Sequence, residues 1–184
     1  MISIAIVDDH RLMRAGLANM IAGFKGYKVI LEAENGKRFI ETLKPNKPPS
    51  IVLLDINMPE MDGYETAQWI RKNLPDTKMI ALSMYDNDYA IIQMLKNGCH
   101  GYLLKNSEPM LLYTAFNEIK KYGYFSNDMV SDKLIHYIGD ESTLKKQQDQ
   151  LNQLTEKEKA FMGWVCTDKT YKEIADIMFI SPRT

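Results

Sequence analysis

Short, unbroken apolar runs alternate with stretches of helical periodicity along the N-terminal part of the chain. Ile4-Ala5-Ile6-Val7 leads into Asp8 and Asp9, and Ile51-Val52-Leu53-Leu54 ends at Asp55. Met79-Ile80-Ala81-Leu82 ends at Ser83, and Tyr102-Leu103-Leu104 ends at Lys105. Runs of this kind predict strands of a parallel sheet buried on both faces. Residues 28–33 form a more polar fifth run, which predicts a strand near an edge. Between the runs, apolar residues recur at helical spacing. Residues 11–24 carry Leu17, Met20, Ile21 and Phe24 on one face, with Leu12 and Ala15 a turn earlier. Residues 37–43 form a short helix stopped by Pro45, and Asp62-Gly63 opens another that runs to about residue 74 before Pro75. A fourth starts at Asp86 or Asp88, turns Ala90, Ile91, Met94 and Leu95 inward, and closes at Asn97-Gly98. A fifth is capped by Ser107 and faces inward with Met110, Leu111, Ala115, Phe116 and Ile119.

Five strands and five helices in strict alternation predict an α/β fold: a doubly wound, five-stranded parallel sheet with helices on both faces. The predicted unit covers residues 1–122. From Gly123 the rhythm changes. Phe125-Ser126-Asn127 reads as a turn and cap, residues 128–138 as a helix, and residues 139–153 as a solvated, charged spacer rich in Gln, Lys and Asp. A helical and charged linker therefore spans 123–153. A third, all-α unit occupies 154–184. Thr155 and Glu158 form a capping box, Ala160, Phe161, Trp164 and Val165 face inward, a second helix spans 171–178, and Ser181-Pro182 announces a third.

Composition narrows the classes. The 184 residues are 26% charged and 45% hydrophobic, ordinary for a globular protein, and the net charge of -1 gives no global attraction to nucleic acid or anionic membrane. Cys99 and Cys166 have no metal-ligand spacing and fit small hydrophobes in a reducing, cytoplasmic setting. No apolar stretch approaches the roughly 20 residues that cross a bilayer. His10, which follows the acidic pair, reads as a solvated or capping histidine, as do His100 and His136.

Ligands of an open parallel sheet bind outside the carboxyl ends of its strands. Asp8, Asp9, Asp55, Ser83 and Lys105 converge there. Three neighbouring carboxylates repel one another, and a hard divalent cation relieves the repulsion. Mg2+ suits the site because it keeps waters and accepts a phosphate oxygen as well. One carboxylate can then attack phosphorus, while the cation and Lys105 neutralise charge and Ser83 donates a hydroxyl hydrogen bond.

Residue by residue, this set resembles the receiver domain of bacterial two-component response regulators. The resemblance rests on Val7-Asp8-Asp9, on Asp55-Ile56-Asn57-Met58-Pro59 followed by Asp62-Gly63, on Ser83, and on Gly101-Tyr102-Leu103-Leu104-Lys105. It implies a flavodoxin- or CheY-like sheet, with Asp55 as phosphoacceptor. It also implies Mg2+ held by the Asp9 and Asp55 carboxylates, by the Asn57 carbonyl, and by Asp8 through water. Lys105 would pair with the phosphoryl group, Ser83 would hydrogen-bond it, and Tyr102 resembles the aromatic switch residue. A histidine kinase would be the phosphodonor. The protein would then be a phosphoacceptor that assists its own phosphorylation, and not an enzyme in its own right. An aspartyl-phosphate hydrolase on a related fold needs a second Asp as general acid, and Asn57 stands at that position.

Residues 154–184 resemble the helix-turn-helix output domain of NarL/FixJ/LuxR-type regulators through Leu154-Thr155-Glu156-Lys157-Glu158, Tyr171-Lys172-Glu173-Ile174-Ala175 and Ile180-Ser181-Pro182-Arg183-Thr184. In that family the last of these opens the recognition helix, which supplies base contacts. The resemblance implies a transcription regulator that binds DNA, with Lys172 and Arg183 as candidate phosphate contacts. Because the sequence stops at Thr184, this 184-residue chain is expected not to bind DNA specifically. A homodimer is one output of the phosphoryl switch, and a stand-alone receiver that signals by protein contact is the alternative.

Overall fold

The computed structural model describes residues 1–84, 88–127 and 130–131. The chain divides into two compact units, Met1–Ile135 and His136–Thr184, and every described residue falls in the first. Ten elements alternate: β1 (Ile2–Val7), α1 (Arg11–Ala22), β2 (Tyr27–Ala33), α2 (Gly36–Thr42), β3 (Ile51–Asp55), α3 (Gly63–Asn73), β4 (Lys78–Ser83), α4 (Asp88–Lys96), β5 (Gly101–Leu104) and α5 (Pro109–Tyr122). The five strands form one parallel sheet in the order β2-β1-β3-β4-β5. The order reverses between β1 and β3, and that switch point opens a crevice at the strands' carboxyl ends.

The apolar runs are continuous because successive side chains enter two different cores. Ile4, Ile6, Ile51, Leu53, Ile80, Leu82 and Leu103 pack with α1 and α5 through Leu17, Ile21, Leu112, Phe116 and Ile119. Ala5, Val7, Val52, Leu54, Met79, Ala81 and Tyr102 face the opposite way, against Phe39, Ala67, Ile70, Ile91 and Met94. This is the period-two alternation of a strand with apolar residues on both sides.

Three local expectations are corrected. Leu12 and Ala15 are exposed, Leu12 to 89%, and Met13 takes the inward place a turn before Leu17. On α5, Met110 is 63% exposed and Leu112 is buried instead. Ser107 does not cap α5. Pro109 occupies the first helical position, where its missing N–H costs nothing, so the cap falls to Glu108 in extended backbone. The edge position of β2 is as expected.

The first unit continues past α5. Gly123 ends that helix in the left-handed region (φ 86°), and the chain crosses the free edge of β5, where Phe125 N–H donates to the His100 carbonyl at 2.8 Å. Phe125 is buried in the α1/α5 core and Val130 in the opposite one. Asn127 Oδ1 accepts from Val130 N–H at 2.9 Å, so the expected turn and cap are present and the chain is helical at Val130 and Ser131. The rest of the predicted linker helix, the charged spacer and the unit at 154–184 lie outside the described residues. Among the described residues no helix is long and apolar enough to cross a membrane.

Candidate functional site

Asp8 stands just past the end of β1, and Asp55 is the last residue of β3, the strand beside it. Leu82 pairs in register with Asp55 and Leu104 with Ser83, so Ser83 and Lys105 lie at the same carboxyl edge. Lys105 N–H donates to the Ser83 carbonyl at 2.7 Å and carries the sheet one step beyond β5.

The Lys105 ammonium lies 2.7 Å from Asp55 Oδ2 and 2.8 Å from Asp8 Oδ2, with all three side chains at most 5% exposed. Asp8 Oδ2 is fully buried and has the Lys105 ammonium as its partner. Asp8 Oδ1 accepts from His10 N–H at 2.8 Å, and Asp55 Oδ1 from Ile56 N–H at 2.7 Å. Arg14 reaches back to the Asp8 carbonyl at 2.6 Å and pins the end of β1 to α1.

Burial raises the Asp55 carboxyl above the ordinary aspartate value; the hydrogen bond and charge of Lys105 oppose this, and the Asp8 charge adds to it. For Lys105, burial pulls the value down, but hydrogen bonds and charges from Asp55 and Asp8 together outweigh it, and the net shift is upward. The ammonium therefore stays charged beside two buried carboxylates.

Gly63 explains the Asp62-Gly63 pair. A Cβ there would strike the Asp55 carbonyl oxygen and lie 2.7 Å from Ile56 Cα, while Gly63 N–H donates to the Ile56 carbonyl at 2.8 Å. Glycine lets α3 start against the backbone of Asp55. Asp62 and Glu65 close a capping box at that helix start. The loop between them and β3 is tied to α2 by Asn35 and Lys37, which both reach Glu60.

Asp8, Asp9, Asp55 and His10 each bring one ligand atom within 4.8 Å of the others. Three carboxylates drawn together at one edge form a donor set that fits a hard divalent cation. Asn57 is exposed two residues after Asp55, Ser83 is buried at the end of β4, and Tyr102 is fully buried, facing α3 and α4. Asp8, Asp9, Asp55 and Lys105 are thus brought together, with Ser83 on the adjacent strand. Lys172 and Arg183 lie outside the described residues. His10 is the residue that sequence reasoning passed over: it occupies the N-cap position of α1, yet its side chain makes no capping bond and lies 2.7 Å from Asp9 Oδ1.

Residues 4–117 match the family model "Response regulator receiver domain". The chain belongs to the response regulators. Residues 152–184 match "Bacterial regulatory proteins, luxR family", so this response regulator joins a receiver to a LuxR-type helix-turn-helix domain. It is 36% identical to the transcriptional regulatory protein YdfI of Bacillus subtilis, over 98% of this chain and 83% of YdfI. It is 32% identical to the transcriptional regulatory protein DegU of Brevibacillus brevis, over 73% of this chain and only 56% of DegU. Among solved structures, the RcsB response regulator of Salmonella typhimurium matches with a TM-score of 0.75 at 22% identity, over 100% of this chain and 86% of that one. This response regulator is accordingly a transcription regulator by family and not an enzyme in the ordinary sense.

Proposed function

We propose that Asp55 accepts a phosphoryl group from the phosphohistidine of a histidine kinase, and that Asp8, Asp9 and Asp55, with the Asn57 carbonyl, hold Mg2+ for that transfer. A carboxylate oxygen of Asp55 bonds to phosphorus as the P–N bond breaks and the imidazole returns to the kinase. When bound, the cation supplies charge neutralisation at the phosphoryl oxygens. Lys105 would supply the rest of that charge from its place beside Asp55 and Asp8. Ser83, one register step beyond the Leu82–Asp55 pair, donates its hydroxyl to a phosphoryl oxygen. Tyr102 lies two residues along β4 and β5 from that hydroxyl's strand position and senses its movement through the core shared with α4.

The observation that carries this reading is the pair of contacts from Lys105 to Asp55 and Asp8 at a closed strand end. A buried ammonium held between two carboxylates is placed to follow charge that moves onto an Asp55 phosphoryl group. The output is transcriptional: the LuxR-type unit, which we delimit as residues 154–184, responds to the receiver, residues 1–122, through the linker at 123–153. Lys172 and Arg183 would contact DNA phosphates, and YdfI and DegU are transcriptional regulators by name. Phosphorylation shifts a two-state receiver population, with dimerisation as one output.

Incubation with acetyl phosphate and Mg2+, followed by intact-mass measurement, tests the acceptor. A single phosphoryl adduct is expected on the wild type and none on Asp55→Asn. An adduct that persists in Asp55→Asn would overturn the assignment.

A further inference from the structure

The His10 side chain is 68% exposed, as expected of a solvated histidine, and makes no capping bond at the N-cap of α1. Nδ1 instead points at the acidic pocket, 2.7 Å from Asp9 Oδ1 and 3.4 Å from Asp8 Oδ1. An octahedral cation with bonds of about 2.1 Å sets adjacent donors about 3.0 Å apart and opposite donors about 4.2 Å apart. The separations around Nδ1 bracket the first figure, and the 4.8 Å spread of the four donors exceeds the second only slightly. His10 is 68% exposed, so its ring can adjust without disturbing the core. Asp8 is fully buried and turns Oδ1 toward His10, while its Oδ2 faces the Lys105 ammonium at 2.8 Å.

We infer that His10 is a nitrogen donor to the cation held by Asp8, Asp9 and Asp55, and that it biases this pocket toward borderline divalent cations such as Mn2+ and Co2+ over Mg2+. The inference rests on the proposed cation site and adds a ligand to it. Carboxylates alone suit Mg2+ and Mn2+, whereas imidazole adds affinity for the later first-row metals. Mg2+ gives up water reluctantly and gains little from an exposed imidazole. The pocket can then load according to which divalent cation is available.

The 184-residue chain loaded with Mn2+ and measured by pulsed electron paramagnetic resonance tests the ligand directly. An imidazole nitrogen coupling is expected in the wild type. His10→Asn keeps a residue that caps helices well, so the fold is preserved while the imidazole is lost. In that variant the coupling should vanish, and Co2+ affinity, read by calorimetric titration, should fall at least about tenfold, the lower end of what losing a group that merely supports a metal ligand costs. Mg2+ affinity should change by less than about twofold, since an oxygen-preferring cation draws little from the ring. Absence of the nitrogen coupling in wild type, or equal losses for Co2+ and Mg2+, overturns the inference. If acetyl phosphate still labels Asp55 in that case, only the His10 ligand is refuted. If no divalent cation binds and no adduct forms, the cation site itself fails.

Discussion

Replacing Lys105 with methionine tests the electrostatics of the pocket without creating a large cavity. The ammonium sits between Asp55 Oδ2 and Asp8 Oδ2, and none of the three side chains is more than 5% exposed. Its removal leaves two buried carboxylates whose remaining described hydrogen bonds come from the backbone N–H groups of His10 and Ile56. Breaking a buried pair from one side costs about 3–5 kcal/mol, because the surviving charge is desolvated and uncompensated. For a chain of this size a loss of about 3 kcal/mol corresponds to a melting-point drop of roughly 6–12 °C. The loss should depend on pH with a definite sign. Asp55 already titrates above its unfolded value of 3.8, and the methionine side chain would remove the two influences of Lys105 that oppose that rise. A carboxyl whose folded value is raised binds its proton more tightly in the native state, so its charged form erodes stability as pH rises through the interval above 3.8. The deficit of Lys105→Met should therefore be largest near neutrality and shrink as pH falls toward about 5. A divalent cation should restore part of it, by about 2.7 kcal/mol at roughly a hundred times its dissociation constant. Urea unfolding followed by circular dichroism, with and without Mg2+, reads all three effects. A variant that loses less than about 1 kcal/mol near neutrality would refute the buried-pair reasoning, since that is the range of exposed ion pairs. A deficit that grows on acidification would do the same.

Two further outcomes follow from single positions. Gly63→Ala should destabilise the receiver by about 1–3 kcal/mol through overpacking and should slow acetyl phosphate labelling, because the new Cβ meets the Asp55 backbone and no flexible side chain yields; a variant with wild-type melting and labelling would show that α3 does not need to start so close. His100 is pushed down to about 4 by burial and then by the Lys78 ammonium, 3.3 Å from its Nε2, so the native state disfavours its proton. The stability it contributes is present above 6.5 and is lost as pH falls from there through about 4; His100→Gln should flatten that part of the stability–pH profile, and an unchanged slope would assign the acid sensitivity to other groups.

The strands and the pocket could be read from sequence for the same reason: every strand but β2 is apolar on both faces, so each run is continuous and its first polar residue marks the carboxyl end. Asp8, Asp55, Ser83 and Lys105 needed only that rule and the strand order to be brought together. Helix faces were less legible at their starts. Leu12 and Met110 follow the apolar spacing of α1 and α5 yet are exposed. Met13 and Leu112, one and two positions further on, take the inward places in those first turns instead. Periodicity reports which residues share a face, not which of two neighbouring stripes meets the sheet. His10 was missed for a related reason: N-cap statistics describe the backbone position and do not reveal that two carboxylates lie within reach of the ring.

The two sheet edges show what a pattern of strands leaves out. An exposed edge must be covered or made unsuitable for pairing with another chain. At β2 the register with β1 slips between Ile4 and Ala5, which pair with Val29 and Leu31 and leave Ile30 unpaired, and the strand alternates exposed Lys28, Ile30 and Glu32 outward. A bulge and two charged residues blunt that edge locally, and the polarity is visible in the sequence. At β5 the strand is short and apolar, so nothing in its own residues protects it. Protection comes from the chain beyond α5, where Phe125 donates to the His100 carbonyl and approaches so closely that a Cβ at Gly101 would lie 3.2 Å from the Phe125 Cβ. Gly101 thus serves as the seat of a residue that follows it by a whole helix, a long-range requirement that helix and strand periods do not encode. Because Phe125 and Val130 enter opposite cores, the segment after α5 is held across both faces of the strand that carries Tyr102 and ends beside Lys105. If Asp55 is phosphorylated as proposed, a shift of β5 would move against residues 123–131, which cover its edge.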